Sequence, residues 1–136
     1  MSTLHPLKTV KVVKDSYLAR NASSQLWRSF LYALLEGAAQ SLHIRRDDID
    51  GTLYYHARNE PPALILYNNV PGGAGHVKRI ADELPAVFKG AFDRVNNQCC
   101  GPETSCYECL RNYRNQVYHE ELQRGIPRDF LAQILY

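Results

Sequence analysis

The hydrophobic positions of this chain change period along its length, and each change marks an element. Between Leu7 and Leu18, Val10, Val12 and Val13 stand among lysines and are followed by Tyr17 and Leu18, which predicts an edge strand with charged outward positions. After Asn21-Ala-Ser-Ser24, a helix-capping composition, the spacing becomes three and four residues: Leu26, Trp27, Phe30, Leu31, Leu34, Leu35, Ala38, Ala39 and Leu42. That period predicts an amphipathic helix, with Trp27 and Phe30 as core residues rather than a ligand platform. Arg45-Arg-Asp-Asp48 reads as a solvated loop or a short helical turn, and Gly51 to His56 as a strand ended by a turn at Asn59-Glu-Pro-Pro62. The nearly continuous apolar run from Ala63 to Val70 predicts a strand covered on both faces, at the centre of a small sheet.

That strand enters Pro71-Gly-Gly-Ala-Gly-His76, and a helical pattern of Val77, Ile80, Ala81 and Leu84 begins at once. Strand, glycine loop and helix is the layout of an anion-binding turn, in which exposed N–H groups at a helix start attract phosphate or carboxylate. Gly72, Gly73, Gly75 and His76 are therefore candidate contacts. The loop matches neither nucleotide-binding glycine fingerprint, and the structural alternative weighs more: glycines that permit positive φ and close packing of helix on sheet, with His76 a satisfied structural histidine. Pro85 cannot donate within a helix, so the run from Val77 to Val95 should break there and restart with Phe88, Ala91, Phe92 and Val95 inward. Beyond residue 109, Leu110, Tyr113, Val117 and Leu122 predict a further amphipathic helix stopped near Gly125. Ile126-Pro127 opens a last helix with Phe130, Leu131, Ile134 and Leu135 inward.

With 136 residues, 45% hydrophobic and 22% charged, the chain has the size and composition of one globular domain, residues 1–136. No apolar run approaches the roughly 18 to 20 residues of a membrane span, and the start carries no apolar signal segment, so a cytoplasmic protein with no membrane partner is expected. The formal charge of +2 gives no bulk attraction for nucleic acid, which would need a local patch.

The chemistry is concentrated in the cysteines. All four, Cys99, Cys100, Cys106 and Cys109, lie within eleven residues. Zinc takes four soft ligands in a tetrahedron at Zn–S near ~2.3 Å, and Cys-x-x-Cys lets one turn deliver two thiolates. The cluster therefore reads as a structural zinc site, and the −2 of a zinc tetrathiolate would bring the chain to zero net charge. Adjacent Cys99 and Cys100 can share a metal only if the chain turns sharply, which Gly101-Pro102 supplies. Three other readings stand beside this one: two disulfides in an oxidising compartment, a catalytic thiol with His76 or His119 as base, and a catalytic zinc with one open position.

Leu66-Tyr-Asn-Asn-Val-Pro-Gly-Gly-Ala-Gly-His76, then the paired cysteines, then Ser105-Cys-Tyr-Glu-Cys-Leu-Arg-Asn-Tyr-Arg-Asn-Gln116 resemble the MrfA-type zinc-binding domain, or MZB. This family occurs at the C-termini of helicases and in DrmB of the DISARM anti-phage system. The stretch from Ser105 through Tyr118-His119 and Arg124 is most similar to the DrmB-like branch. The resemblance implies that Cys99, Cys100, Cys106 and Cys109 are zinc ligands and that the domain assists a superfamily-two DNA helicase without catalysing anything itself. Helicase-fused members space the first pair as Cys-x-Cys. The adjacent pair here makes Cys99 the least secure ligand and His119 its reserve. No helicase motor is present in the sequence, which has neither a Walker A lysine loop nor an acidic Walker B segment, so any ATPase would act in trans or in a longer protein.

The expected fold is α+β, a small sheet of about three strands packed by amphipathic helices, with a four-cysteine zinc site joining C-terminal helices. Arg111, Arg114, Arg124 and Arg128, interleaved with Tyr107, Tyr113 and Tyr118, make a candidate surface for single-stranded DNA. Glu108, Glu120, Glu121 and Asp129 in the same stretch offer the opposite reading, ion-paired and solvated helices. The expected function is a non-enzymatic accessory domain of a helicase or a DISARM-like defence or repair complex. The alternatives are a zinc- or phosphate-handling enzyme using Gly72 to His76, with His76 as acid or base, and a pure protein-interaction module.

Overall fold

A single helix, α1 (Ser24–Leu42), forms the axis of the structure. The computed structural model describes residues 8–10, 24–55, 62–69 and 75–135, so Val12, Val13, Tyr17, Leu18, the turn at 59–61, Gly72 and Gly73 lie outside the described residues. The apolar stripe expected of α1 is buried, with Trp27 2% exposed and Phe30, Leu31, Leu34 and Leu35 fully enclosed. The polar side is covered too: Ser29, Tyr32 and Glu36 are buried. The amphipathic reading of this helix is corrected to a central helix wrapped nearly all round, which three-to-four spacing cannot distinguish when alanine, serine and glycine fill the other face.

α1 ends at His43, whose φ of 56° is left-handed, and the Ile44 amide reaches back to Ala39 O at 3.1 Å. This closes the helix with the six-residue C-terminal loop usually built on glycine. A short 3-10 helix (Arg46–Asp48) leads into β2 (Ile49–Tyr54), which pairs antiparallel with β3 (Ala63–Asn68) from Ile49↔Asn68 to Tyr54↔Ala63. The first strand, β1 (Lys8–Val10), pairs with the other side of β3 at Lys8↔Leu66, so the sheet order is β1-β3-β2 with the apolar strand in the middle, as its composition predicts.

Helices α2 (His76–Asp82) and α3 (Leu84–Val95) meet at Glu83, and Pro85 stands in the first turn of α3, where its missing N–H removes nothing. α3 lies across α1 at very close range. A Cβ added to Gly37 would stand 2.4 Å from Ala91 N, and one on Gly90 would stand 2.9 Å from Gly37 O. Ser41 Oγ donates to Ala86 O at 3.2 Å across the same crossing.

The chain then passes through the cysteines and a 3-10 helix (Tyr113–Tyr118) to α4 (Gly125–Leu135). Phe130 of α4 stacks edge-on against Trp27 and Phe30, each at 5.5 Å between ring centres. The amphipathic helix expected over Leu110–Leu122 is not formed. Tyr113 and Val117, expected inward, are 81% and 83% exposed, whereas Asn115 is fully buried. The physical cause is polar capping. Asn112 accepts from the amides of Arg114 at 2.8 Å and Asn115 at 3.1 Å, Asn115 Oδ1 accepts from the Asn112 amide at 2.9 Å, and Asn115 Nδ2 donates to Leu110 O. These side chains offer the backbone a tight local alternative to the α-helix. No helix among the described residues is long and apolar enough to cross a membrane.

Candidate metal centre

α3 ends at Val95 and delivers Cys99 and Cys100 to a turn in which Thr104 N donates to Gly101 O at 3.3 Å. Pro102 occupies the second position of that turn, where its fixed φ is already correct. Among the described residues left-handed φ occurs at Gly75 and His43, so the turn after the paired cysteines rests on proline rather than on glycine's extra freedom. The second pair forms a knuckle: the amides of Cys109, Leu110 and Arg111 all point at Cys106 O, at 3.2, 3.1 and 2.9 Å.

Turn and knuckle bring the Sγ atoms of Cys99, Cys100, Cys106 and Cys109 within 4.8 Å of one another. Cys100 to Cys109 and Cys106 to Cys109 are both 3.9 Å between sulfurs. Four thiolates at the zinc–sulfur distance stand roughly 3.8 Å apart in a tetrahedron. All four are free thiols, so the two-disulfide reading does not describe this structure. Backbone amides also face the sulfurs. Cys106 N donates to Cys109 Sγ at 3.2 Å and Glu108 N to Cys106 Sγ at 3.4 Å, which favours the thiolate form. The donor set fits zinc in number, softness and spacing.

Without a cation the thiols of Cys99, Cys106 and Cys109 shift in different directions. Burial pushes the Cys99 thiol up to about 11, helped by its hydrogen bond with Cys106, and burial likewise pushes the Cys109 thiol far up. At Cys106 burial acts upward as well, but the Glu108 amide and the neighbouring thiols outweigh it and the net shift is downward. Such a cluster binds protons in competition with a metal.

Two arginines from outside the cluster fix its backbone, and one glutamate holds the second of them. Arg124 Nε donates to Cys100 O at 2.9 Å, its Nη2 reaches the same oxygen, and Nη1 donates to Val95 O at 3.0 Å. Arg94 Nε donates to Cys109 O at 3.0 Å while Nη2 pairs with Glu36 at 3.2 Å. Glu36 also receives Arg46 Nε and Asn112 Nδ2, each at 3.1 Å. Arg94 and Glu36 went unnoticed in the sequence, where the one available signal was a glutamate set among Leu34, Leu35 and Ala38. Arg124, expected on a nucleic-acid surface, is only 4% exposed and has its donors committed to carbonyls, which is a correction to the sequence reading. Arg111 Nε is tied to Ser105 Oγ at 2.9 Å and its Nη2 to His119 O at 3.3 Å, whereas Arg114 is exposed and paired with Asp47 at 3.8 Å.

His119 does not join the sulfurs. Its Nε2 lies 3.1 Å from Asn112 O and 2.9 Å from Asn115 Oδ1, so it serves the loop after the knuckle rather than standing in for Cys99. The glycine loop gives Gly75 at φ 76°, as the positive-φ reading requires. Val77 N at the start of α2 is already taken by Asn68 Oδ1 at 3.2 Å, and His76 Nε2 lies 3.7 Å from Asp48. An acceptor and a carboxylate therefore occupy the place where an anion-binding turn would offer free donors.

Known proteins are similar to this chain in sequence or in fold. One similar chain is the Druantia protein DruE of Escherichia coli, 30% identical over 73 residues, a match that covers 54% of this chain and 4% of DruE. Two crystal structures of the helicase MrfA have the same fold over this region. The one bound to DNA and AMPPNP gives a TM-score of 0.58 at 18% identity, covering 81% of this chain and 14% of MrfA. The one bound to DNA gives 0.58 at 16% identity, covering 93% and 15%. The chain thus spans a small part of each relative's length. Its residues 30–110, more than half of the chain and all four cysteines, match the MrfA Zn-binding domain, and the chain belongs to that zinc-binding family.

Proposed function

We propose that Cys99, Cys100, Cys106 and Cys109 hold one structural Zn²⁺ and that residues 1–136 act as a single non-catalytic accessory module of a DNA helicase or of a defence complex built around one. The observation that carries this reading is the closed donor set: four sulfurs within 4.8 Å, with the Cys100 carbonyl clamped by buried Arg124 and the Cys109 carbonyl by half-buried Arg94. A closed thiolate site supplies folding free energy rather than an activated water. When bound, zinc would join the end of α3 to the segment that carries Asn112 and Arg124. The chain's own residues do the rest by holding that segment against α1.

The likeness to MrfA, captured with DNA, and to the Druantia protein DruE supports a helicase as the partner and DNA as the shared substrate. A superfamily-two motor, whether DISARM-like or Druantia-like, in defence or in repair, would supply the ATPase in another chain or another part of a longer protein. The module's part is architectural: to dock on that motor and hold single-stranded DNA beside it. Affinity purification from the native host, with metal analysis of the same sample, tests this directly. One zinc per chain and a co-purifying ATPase are expected. Absence of any ATPase, or a fold and partner binding untouched by chelation, overturns the reading.

A further inference from the structure

Arg46 spends two of its donors inside the protein, Nε on Glu36 at 3.1 Å and Nη1 on Ile49 O at 2.8 Å. Its Nη2 is buried and has no acceptor among the described residues. A buried guanidinium N–H without a partner is costly enough to call for one. The same side chain lines a pocket of about 320 Å³ whose other walls are Asp47, Asn112, Tyr113 and Arg114.

The rim of this pocket is unusual in what it exposes. Tyr113 is 81% exposed, and the capping pair Asn112 and Asn115 fixes the backbone that carries it, so the exposure is built in rather than a consequence of a loose loop. Among the described residues the Arg114 guanidinium is ion-paired with Asp47 alone, at 3.8 Å, and Asp47 is shared with Arg45 at 3.9 Å. Exposed ion pairs this long contribute little and open readily. An aromatic face and two guanidinium groups lining one pocket can stack a base and bind the attached phosphate together. An acidic protein side chain would satisfy the arginines and leave the tyrosine face unused.

We propose that Arg46, Tyr113 and Arg114 form a subsite for one nucleotide of single-stranded DNA, its base on Tyr113 and its phosphate between the two arginines. The inference rests on the DNA-handling part of the proposed function and gives it a place on the surface. Asp47 is the counterweight, because it competes with phosphate for Arg114. The subsite also depends on the metal centre. Asn112 is three residues beyond Cys109, and Glu36 joins Asn112 and Arg46 to Arg94, the donor to Cys109 O.

The test uses the zinc-loaded full chain and a fluorescent twelve-nucleotide oligothymidylate, with anisotropy read across a salt series. Tyr113→Ala and Arg114→Ala, both at exposed positions, should each weaken binding by about tenfold. Arg114→Ala should also flatten the salt dependence by a slope of about 0.7, the share of one phosphate on a single strand. Asp47→Asn should tighten binding severalfold, and Lys89→Ala on the exposed face of α3 should change nothing. A 4-thiothymidine oligonucleotide should photocrosslink to Tyr113. If the parent chain binds with salt dependence but these variants and the crosslink miss the pocket, the subsite is wrong while DNA handling stands. If the parent binds no oligonucleotide, both fail. If the Tyr113 and Arg114 variants lose only a co-purified protein partner, the pocket is a protein-docking site and the nucleotide assignment is overturned.

Discussion

Arg124 donates to the carbonyl oxygen of Cys100 through both Nε and Nη2, across twenty-four residues of sequence, and its third nitrogen holds Val95 O. A guanidinium spanning these two carbonyls fixes the angle at which α3 hands the chain to the first cysteine pair. Residues that orient metal ligands without touching the metal typically account for 10- to 100-fold in affinity. Arg124→Lys, which keeps the charge but not the fork, should therefore speed zinc transfer to a chromogenic chelator by about that factor. Arg111→Lys, with the knuckle's own backbone bonds intact, should do so far less.

The adjacent cysteines share one expectation, and His119 has another. If the adjacent pair completes the tetrahedron, Cys99→Ser and Cys100→Ser should reduce bound zinc equally, as measured by mass spectrometry under native conditions. His119→Ala should leave zinc content at one per chain, since Nε2 is engaged with Asn112 and Asn115.

The response to pH has opposite signs with and without metal. In the metal-free chain the folded state raises the Cys99 thiol from 9.0 to about 11 and raises Cys109 also, so between these values the folded form holds more protons than the unfolded one. Stability from Cys99 is complete below pH 9.0 and is lost as pH climbs toward about 11, and Cys109 contributes with the same sign up to a still higher pH. In the zinc-loaded chain the ligands are deprotonated, and protons compete with the metal. Its melting temperature should fall on acidification and resist alkali. Parallel thermal melts of both forms check the crossing.

The crossing of α1 and α3 leaves no room at Gly37. Gly37→Ala places a methyl 2.4 Å from Ala91 N, a backbone atom that cannot swing aside. Overpacking of this kind costs about 1–3 kcal/mol, and urea denaturation should show a loss in that range despite alanine's better helix propensity.

His43 gives the opposite case. Its left-handed φ of 56° closes α1 with a residue that carries a Cβ. His43→Gly should stabilise the chain by about 1 kcal/mol, read in the same denaturation experiment.

Much of this was legible in the sequence where period and composition agree. The apolar run at Ala63–Asn68 became the central strand, Pro85 marked the restart of a helix, and the four cysteines converged. The stretch after Leu110 misled because Tyr113, Val117 and Leu122 carry a helical period, while Asn112 and Asn115 hold enough local hydrogen bonds to defeat it. The arginines misled for a related reason. Spacing shows that a charge exists but not whether a carbonyl lies within its reach, so Arg124 and Arg114 look alike in sequence and differ completely in burial. Glu36 was hidden because its three partners come from residues 46, 94 and 112.

The reach of Arg124 also sets an order of events during synthesis. All four sulfurs have left the ribosome well before the side chain that steadies Cys100, and Gly125, whose amide caps Pro102 O at 2.9 Å, comes later still. A metal captured by the nascent cysteines would therefore be held at first with the Cys99–Cys100 turn unbraced, and so open to exchange. Retention begins only when α4 docks, so a chain trimmed to the family-matched span ending at residue 110 should pick up zinc and fail to keep it.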